Sequence, residues 1–349
     1  MGCLSGRAPR LVRIADMMKV TIDNIMVEVE DGTTILQAAR KIGGNVAPPA
    51  MCYYSKLRGT GGKCRSCLVK VVQSSAKDPR PMPKLVASCS TPVQDGMVVE
   101  NNLSQEVKEA RRGVVEFLLI NHPLDCPVCD QAGECDLQDL SYGFGLEGTR
   151  FEEAKREFPV IDIGPFIKLH MNRCILCYRC VYTADQLTDN RLHGVLYRGD
   201  VSEISTFITN SIENDFSGNV IDVCPVGALT DRTFRFKSRV WYLNPMDAHR
   251  DCPKCSGKVT AWMFGNEIYR ITGRKDRYGE VESFICNECR FEKKDINDWV
   301  IEGPRKIKRQ SVISTNHYEK LVHPSVIKPI EGEMISPEEE LKRERNNEY

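Results

Sequence analysis

Fifteen of the sixteen cysteines in this 349-residue chain fall into four tight groups, and that spacing constrains the fold more than any other feature. The groups are Cys52/Cys64/Cys67/Cys89, Cys126/Cys129/Cys135, Cys174/Cys177/Cys180/Cys224 and Cys252/Cys255/Cys286/Cys289; Cys3 stands apart. Inert core thiols would scatter. A disulfide scaffold would be small and would carry a signal peptide, whereas Met1 to Val20 has no apolar h-region. C-x2-C pairs bring two thiolates from one turn onto one centre, so the groups read as metal ligands. Such thiolates persist in a reducing compartment, which points to a cytoplasmic setting.

Composition excludes more than it assigns. With 48 Lys+Arg against 48 Asp+Glu, the chain has no global field for nucleic acid or an anionic membrane. The best apolar run, Val114 to Ile120, falls far short of the ~18 residues of a spanning helix. Residues 1–16 carry Arg7, Arg10 and Arg13 before the first acid. They read as an extension, with Met17 or Met18 as an alternative start. The Met1-Gly2-Cys3 start fails the myristoylation pattern at Gly6.

Lys19–Ile22 and Asn24–Val29 alternate as strands about Asp23-Asn24. A capped helix follows over Ile35–Ile42, stopped by Gly43-Gly44. Lys84–Ala87 and Met97–Glu100 would complete a β-grasp sheet. Gln105–Asn121 predicts a helix with Val107, Ala110, Val114, Phe117, Leu118 and Ile120 on one side. Residues 258–273 predict a hairpin about Gly265-Asn266. Beyond residue 300 come a basic stretch (Arg305, Lys306, Lys308, Arg309) and a charged tail from Glu331, both candidate interfaces.

The first set, Cys52-x11-Cys64-x2-Cys67-x21-Cys89, has the shape of a plant-type 2Fe–2S site. Gly59 to Gly62 supply backbone without Cβ to approach the cluster and donate N–H bonds. A four-thiolate zinc site is the rival. The second, His122-x3-Cys126-x2-Cys129-x5-Cys135, lacks a fourth thiol, and His122 at a helix end completes a 4Fe–4S ligand set. In the third, Cys174-x2-Cys177-x2-Cys180 with Cys224-Pro225 is a bacterial-ferredoxin run for one 4Fe–4S cluster. Ala184 stands where a two-cluster ferredoxin has another cysteine, and His170 reads as ordinary. The fourth, Cys252-x2-Cys255-x30-Cys286-x2-Cys289, fits a zinc ribbon by spacing alone.

Together these residues, and the run Asn219–Thr230 with Cys-Pro-Val-Gly-Ala-Leu, resemble the large peripheral iron–sulfur subunit of bacterial respiratory complex I, the NADH:quinone oxidoreductase. The resemblance covers about Val20 to Arg290. It implies an electron-relay subunit with no substrate site of its own, carrying one 2Fe–2S and two 4Fe–4S clusters. Its partners would be the flavin/NADH-binding subunit, a small 2Fe–2S subunit and the quinone-side iron–sulfur subunits. It would sit on the cytoplasmic side of the bacterial inner membrane without a span of its own. The chain stops soon after Arg290, so the family's large molybdopterin-oxidoreductase-like domain is not expected. The family's optional extra 4Fe–4S cluster uses C-x2-C-x3-C and a remote cysteine. Here the third ligand is missing and Cys289 is new, so zinc and 4Fe–4S both stay open at the fourth set. Two other readings are a diaphorase iron–sulfur subunit of an NAD-reducing hydrogenase and a non-redox zinc-binding scaffold.

The expected fold class is α+β. It comprises an extension (1–16), a β-grasp 2Fe–2S ferredoxin-like domain (17–100) and a helical segment for the histidine-ligated 4Fe–4S cluster (101–150). A ferredoxin-like segment for a single all-cysteine 4Fe–4S cluster (151–245), a four-cysteine hairpin domain (246–300) and a C-terminal extension (301–349) complete it.

Overall fold

Alternating apolar residues from Met17 onward fold into a hairpin of β1 (Met17–Ile22) and β2 (Ile25–Glu30), with Val20 opposite Val27. Its two-residue turn puts Asp23 and Asn24 in the left-handed region (φ 46° and 67°), as a tight hairpin turn requires. The computed structural model describes residues 17–145, 148–188, 193–206, 214–307 and 309. Cys3 with the rest of the N-terminal extension, and the charged tail, lie outside them.

Thr34 opens helix α1 (Ile35–Ile42) with a reciprocal capping box to Gln37, and Gly43 at φ 82° closes it. Strands β3 (Leu68–Gln73), β4 (Val86–Ala87) and β5 (Met97–Glu100) complete a sheet ordered β2-β1-β5-β3-β4. Only the β1–β5 pair is parallel. Ile35, Ala38 and Ala39 of α1 pack on Val20, Val29, Val69 and Val71, which gives the expected β-grasp core. β3 has no counterpart among the predicted strands, although Leu68 to Val72 is an apolar, β-branched run immediately after Cys67.

Helix α2 (Gln105–Leu119) forms where predicted, and Val107 and Leu118 of the expected face pack inward, but the buried face is rotated away from Phe117. It buries Val107, Arg111 and Val115, and leaves Phe117 73% exposed. The cause is Arg111. Its guanidinium reaches the carbonyls of Ser66 and Leu68 (3.0 and 3.1 Å) and Asn101 Oδ1 (2.7 Å), which fixes the helix rotation.

Next come α3 (Asp136–Phe144), β6 (Val160–Asp162), β7 (Ile167–His170), α4 (Arg179–Leu187), the hairpin β8 (His193–Leu196) and β9 (Glu203–Thr206), α5 (Asn219–Val223) and β10 (Leu229–Asp231). β10, β7 and β6 make an antiparallel sheet in that order. The last sheet, β13-β12-β11-β14, is built from β11 (Asn244–His249), the predicted hairpin β12 (Lys258–Phe264) and β13 (Glu267–Gly273), and β14 (Val300–Pro304). β14 lies partly in the segment read as an extension, and pairs with β11.

Candidate metal centres

The first set is carried by the loop between α1 and β3, closed by Cys89 just after β4; all four thiols are buried. Cys67 Sγ and Cys89 Sγ are 3.3 Å apart. Cys52 lies beside Cys64, whose thiol it pushes well above the usual range, with burial adding to the effect. The glycine loop does what its composition suggests. Gly62 N–H donates to Cys89 Sγ (3.1 Å), and the N–H groups of Lys63 and Cys64 donate to Cys52 Sγ (3.3 and 3.4 Å). Gly61, at φ 101°, has no room for more: a Cβ would lie 3.3 Å from Cys89 Sγ. Sequence reasoning missed Arg111, a buried cation near Cys67 that binds the backbone on either side of it. Burial lowers its pKa to about 10, against the opposing pull of Cys67 and Asp23.

The second set begins where α2 ends. Lys155 Nζ caps that end through the carbonyls of Leu119, Ile120 and His122 (3.1, 2.8 and 2.8 Å), a cation at the negative pole of the helix. His122 Nδ1 is buried without a hydrogen-bond partner. Burial lowers its pKa to about 4, which leaves the imidazole neutral, as a ligand must be. Cys126 and Cys129 flank a short 3-10 turn, and Cys135 opens α3. Burial lifts Cys135 to about 12. His170 Nδ1 is orphaned in the same way, but His170 sits on β7 beside a set that already has four thiols.

The third set closes around a small apolar pocket, lined by Cys174, Cys177, Cys180 and Cys224 with apolar neighbours including Leu169, Ile175 and Ile204. Burial raises all four thiols, Cys177 to about 12, and their mutual repulsion adds to this for Cys174, Cys177 and Cys180. Thiols crowded in an apolar cavity stay protonated unless a cation neutralises them, so this donor set fits a cationic metal core. Leu176 N–H donates to Cys174 Sγ (3.3 Å).

Two buried arginines tie the sets together, and neither was legible in advance. Arg179 of α4 donates to the carbonyls of Ala50 and Tyr53 (2.9 and 2.6 Å), either side of Cys52. Arg173 holds Asp125 (2.9 Å) and reaches the Gly227 carbonyl (3.4 Å). Gly227, in the Cys-Pro-Val-Gly run of the third set, packs so tightly on Cys129 of the second that a Cβ there would clash with its sulfur. Cys52, Cys64, Cys135, Cys177, Cys180 and Cys224 accordingly share one apolar core.

The fourth set lies on the last sheet. Cys252 and Cys255 are half-buried between β11 and β12; Cys286 and Cys289 are buried after β13. The four sulfurs lie within 4.8 Å of one another. Burial acts against the Cys252 thiolate, but the N–H groups of Lys254 and Cys255 and the Arg250 side chain bring its pKa down to about 6. Two arginines of the neighbouring basic stretch are engaged within the chain: Arg305 is bound to the Lys275 carbonyl, and Arg309 to Asp136 and Asp139, while Lys306 is exposed.

Three family models cover most of this arrangement. A 2Fe-2S iron-sulfur cluster binding domain matches residues 15–103. The iron-sulfur binding region of NADH-ubiquinone oxidoreductase-G matches 111–150, and the ferredoxin-like domain of NADH-quinone oxidoreductase subunit 3 matches 164–230. Among curated proteins, the G subunit of NADH-quinone oxidoreductase from Rickettsia bellii is 37% identical over 306 residues, 87% of this chain. Over most of its length the chain is similar to the G subunit of NADH-quinone oxidoreductase. The NADH-ubiquinone oxidoreductase 75 kDa subunit of Reclinomonas americana is 43% identical over 79% of the chain, and a mitochondrial NADH dehydrogenase iron-sulfur protein 1 of Solanum tuberosum 39% over 86%. The chain spans only 38–43% of the length of these three relatives. A chain from the crystal structure of an NAD+-reducing [NiFe]-hydrogenase in the H2-reduced state superposes with a TM-score of 0.55 at 26% identity. That match covers 64% of this chain and 91% of the other.

Proposed function

We propose that this chain is an electron-relay subunit of an NADH:quinone oxidoreductase, standing between a flavin- and NADH-binding subunit and quinone-side iron–sulfur subunits. The observation that carries the reading is the shared core. Cysteines from three ligand sets of different type pack together in one apolar cluster.

Cys52, Cys64, Cys67 and Cys89 hold a 2Fe–2S cluster in this reading. His122, Cys126, Cys129 and Cys135 hold one 4Fe–4S cluster, and Cys174, Cys177, Cys180 and Cys224 another. When bound, these groups supply one-electron transfer. The chain's own residues set the conditions. Backbone N–H groups of Gly62, Lys63, Cys64 and Leu176 donate to ligand sulfurs and stabilise the more negative state. Arg111 adds a fixed positive charge beside the first set. His122 in place of a thiolate removes one negative charge and raises the potential of its centre. The six-part division from 1–16 to 301–349 belongs to the same proposal, with the cytoplasmic face of the membrane as its place. Among the described residues no helix is long and apolar enough to cross a membrane. Exposed Leu124, Val128, Phe236 and Trp241 around the Cys126–Gly133 loop support a protein partner at the second set.

The hydrogenase likeness favours a second reading, a diaphorase subunit, with Ala184 in place of another cluster cysteine against it. Isolating the native assembly tests both. The chain is expected to purify with a flavin-containing subunit, quinone-side subunits and no nickel, and NADH should reduce its centres. Centres that stay oxidised with NADH refute the relay, and a nickel subunit in the assembly refutes the oxidoreductase.

A further inference from the structure

The fourth set differs in kind from the other three. Among the described residues, it alone draws three or more potential metal ligands within 4.8 Å of one another. Cys252 Sγ lies 3.8 Å from Cys286 Sγ, and Cys255 Sγ 3.7 Å from Cys289 Sγ. A tetrahedral zinc with Zn–S bonds of about 2.3 Å requires sulfur–sulfur edges of about 3.8 Å. A cubane instead interposes its own iron and sulfide atoms between any two cysteine sulfurs, which holds them much further apart.

The local fold is a pair of knuckles. Each C-x2-C turn offers its sulfurs to the same point, and Gly257 N–H donates back to Cys255 Sγ (3.4 Å). Arg250 Nε donates to Cys289 Sγ (3.2 Å) while its other end pairs with Glu288 (2.7 Å), so part of the thiolate charge is met from the side. Four protein sulfurs leave no open position, which is the arrangement of a structural site. The core beneath, with Val259, Met263, Ile268, Ile271, Ile285 and Trp299, takes Cys286 and Cys289 as its own members. A metal held by those sulfurs would staple this small sheet.

We infer that Cys252, Cys255, Cys286 and Cys289 bind a single zinc ion that serves as a strut for the third ligand set and takes no part in electron transfer. The strut runs through short, buried connections. Cys289 is followed by Arg290, which pairs with Asp222 of α5 at 2.5 Å, both side chains only 1% exposed. At Ile285, just before Cys286, the carbonyl accepts from Asn219 Nδ2 (2.8 Å) and the N–H donates to Asn219 Oδ1 (3.1 Å), so the side-chain amide at the start of α5 holds this backbone. Helix α5 leads directly into Cys224. The ribbon also grips the second set, where Arg270 makes a two-pronged pair with Glu134 (2.8 and 2.9 Å), the neighbour of Cys135.

This inference stands apart from the relay reading, because it concerns a different metal and a different readout. Metal analysis of the full chain is expected to give one zinc per chain besides iron. Zinc-edge X-ray absorption should show four sulfur neighbours at about 2.3 Å and no second metal close by. The Cys255→Ser/Cys289→Ser double variant should lose that zinc. If the variant folds poorly, the absorption spectrum of the unaltered chain decides alone. A chain with no zinc and four further irons overturns the inference in favour of a cluster. One further iron with Fe(III)–thiolate visible bands overturns it in favour of a mononuclear iron site. Zinc retained by the double variant overturns the assignment to these cysteines.

Discussion

Replacing Gly227 by alanine adds one methyl group at the most crowded point between the second and third ligand sets. The new Cβ would lie against Cys129 Sγ, inside the 3.0 Å that real Cβ contacts do not cross, with Gln131 Cβ at 3.2 Å and Arg173 Cδ at 3.5 Å. Gly227 is not among the glycines with positive φ, so its backbone accepts alanine. The stiffer unfolded chain alone would then stabilise the fold by about 0.4–1 kcal/mol. Overpacking a tight site costs about 1–3 kcal/mol, and here Arg173 is tied to Asp125 and cannot swing clear. The net expectation is a loss of about 1–2 kcal/mol, focused on one ligand sulfur. Gly113→Ala is the matched control. It lies in α2 with nothing near its Cβ position, and there alanine should stabilise by about 1 kcal/mol. Iron content, low-temperature EPR and thermal unfolding read both variants. Gly227→Ala is expected to lose or alter the second 4Fe–4S signal and melt lower, whereas Gly113→Ala keeps full iron and melts higher. Full iron with an unaltered second signal in Gly227→Ala would refute the reasoning.

Three further outcomes are expected. His122→Cys should lower the potential of one 4Fe–4S centre in a redox titration, because a thiolate adds a negative charge; an unchanged titration removes His122 from the ligands. Arg111→Gln should lower the 2Fe–2S potential and destabilise the chain by about 3 kcal/mol, since carbonyls at Ser66 and Leu68 lose their donor; Arg111→Lys should keep more of the potential than of the stability. Burial acts to raise the Glu280 carboxyl, but Arg40 (2.5 Å) and the Ser55 hydroxyl and N–H more than offset it and hold the pKa below 4.5. Its stabilising effect is therefore present above about pH 4.5 and is lost as pH falls through the folded value. The Glu280→Gln penalty, read by hydrogen exchange at Ser55 and Val281, should be full at pH 7 and vanish on acidification.

The ligand residues were legible because metal chemistry is written in local spacing. The same holds for the β1–β2 turn at Asp23-Asn24 and the hairpin about Gly265-Asn266, where short-range backbone demands select the residues. What stayed hidden depends on contacts distant in sequence. Arg111 reads as a solvated helix residue until β3 and Asn101 surround it. Arg173 and Arg179 read as ordinary surface charges until they cross between ligand sets. The face of α2 was misjudged for the same reason, because hydrophobic periodicity gives no weight to a buried arginine with three acceptors. Gly227 carried a signal, a glycine just after Cys-Pro, but its partner Cys129 belongs to another group nearly a hundred residues earlier.

Iron and acid-labile sulfide analysis of the full chain, combined with low-temperature EPR after chemical reduction, bears most directly on the relay. Equal amounts of iron and sulfide, about ten of each per chain, with one 2Fe–2S and two distinct 4Fe–4S signals, is the expected result. Zinc alone, without EPR-active clusters in the first three ligand sets, would contradict it.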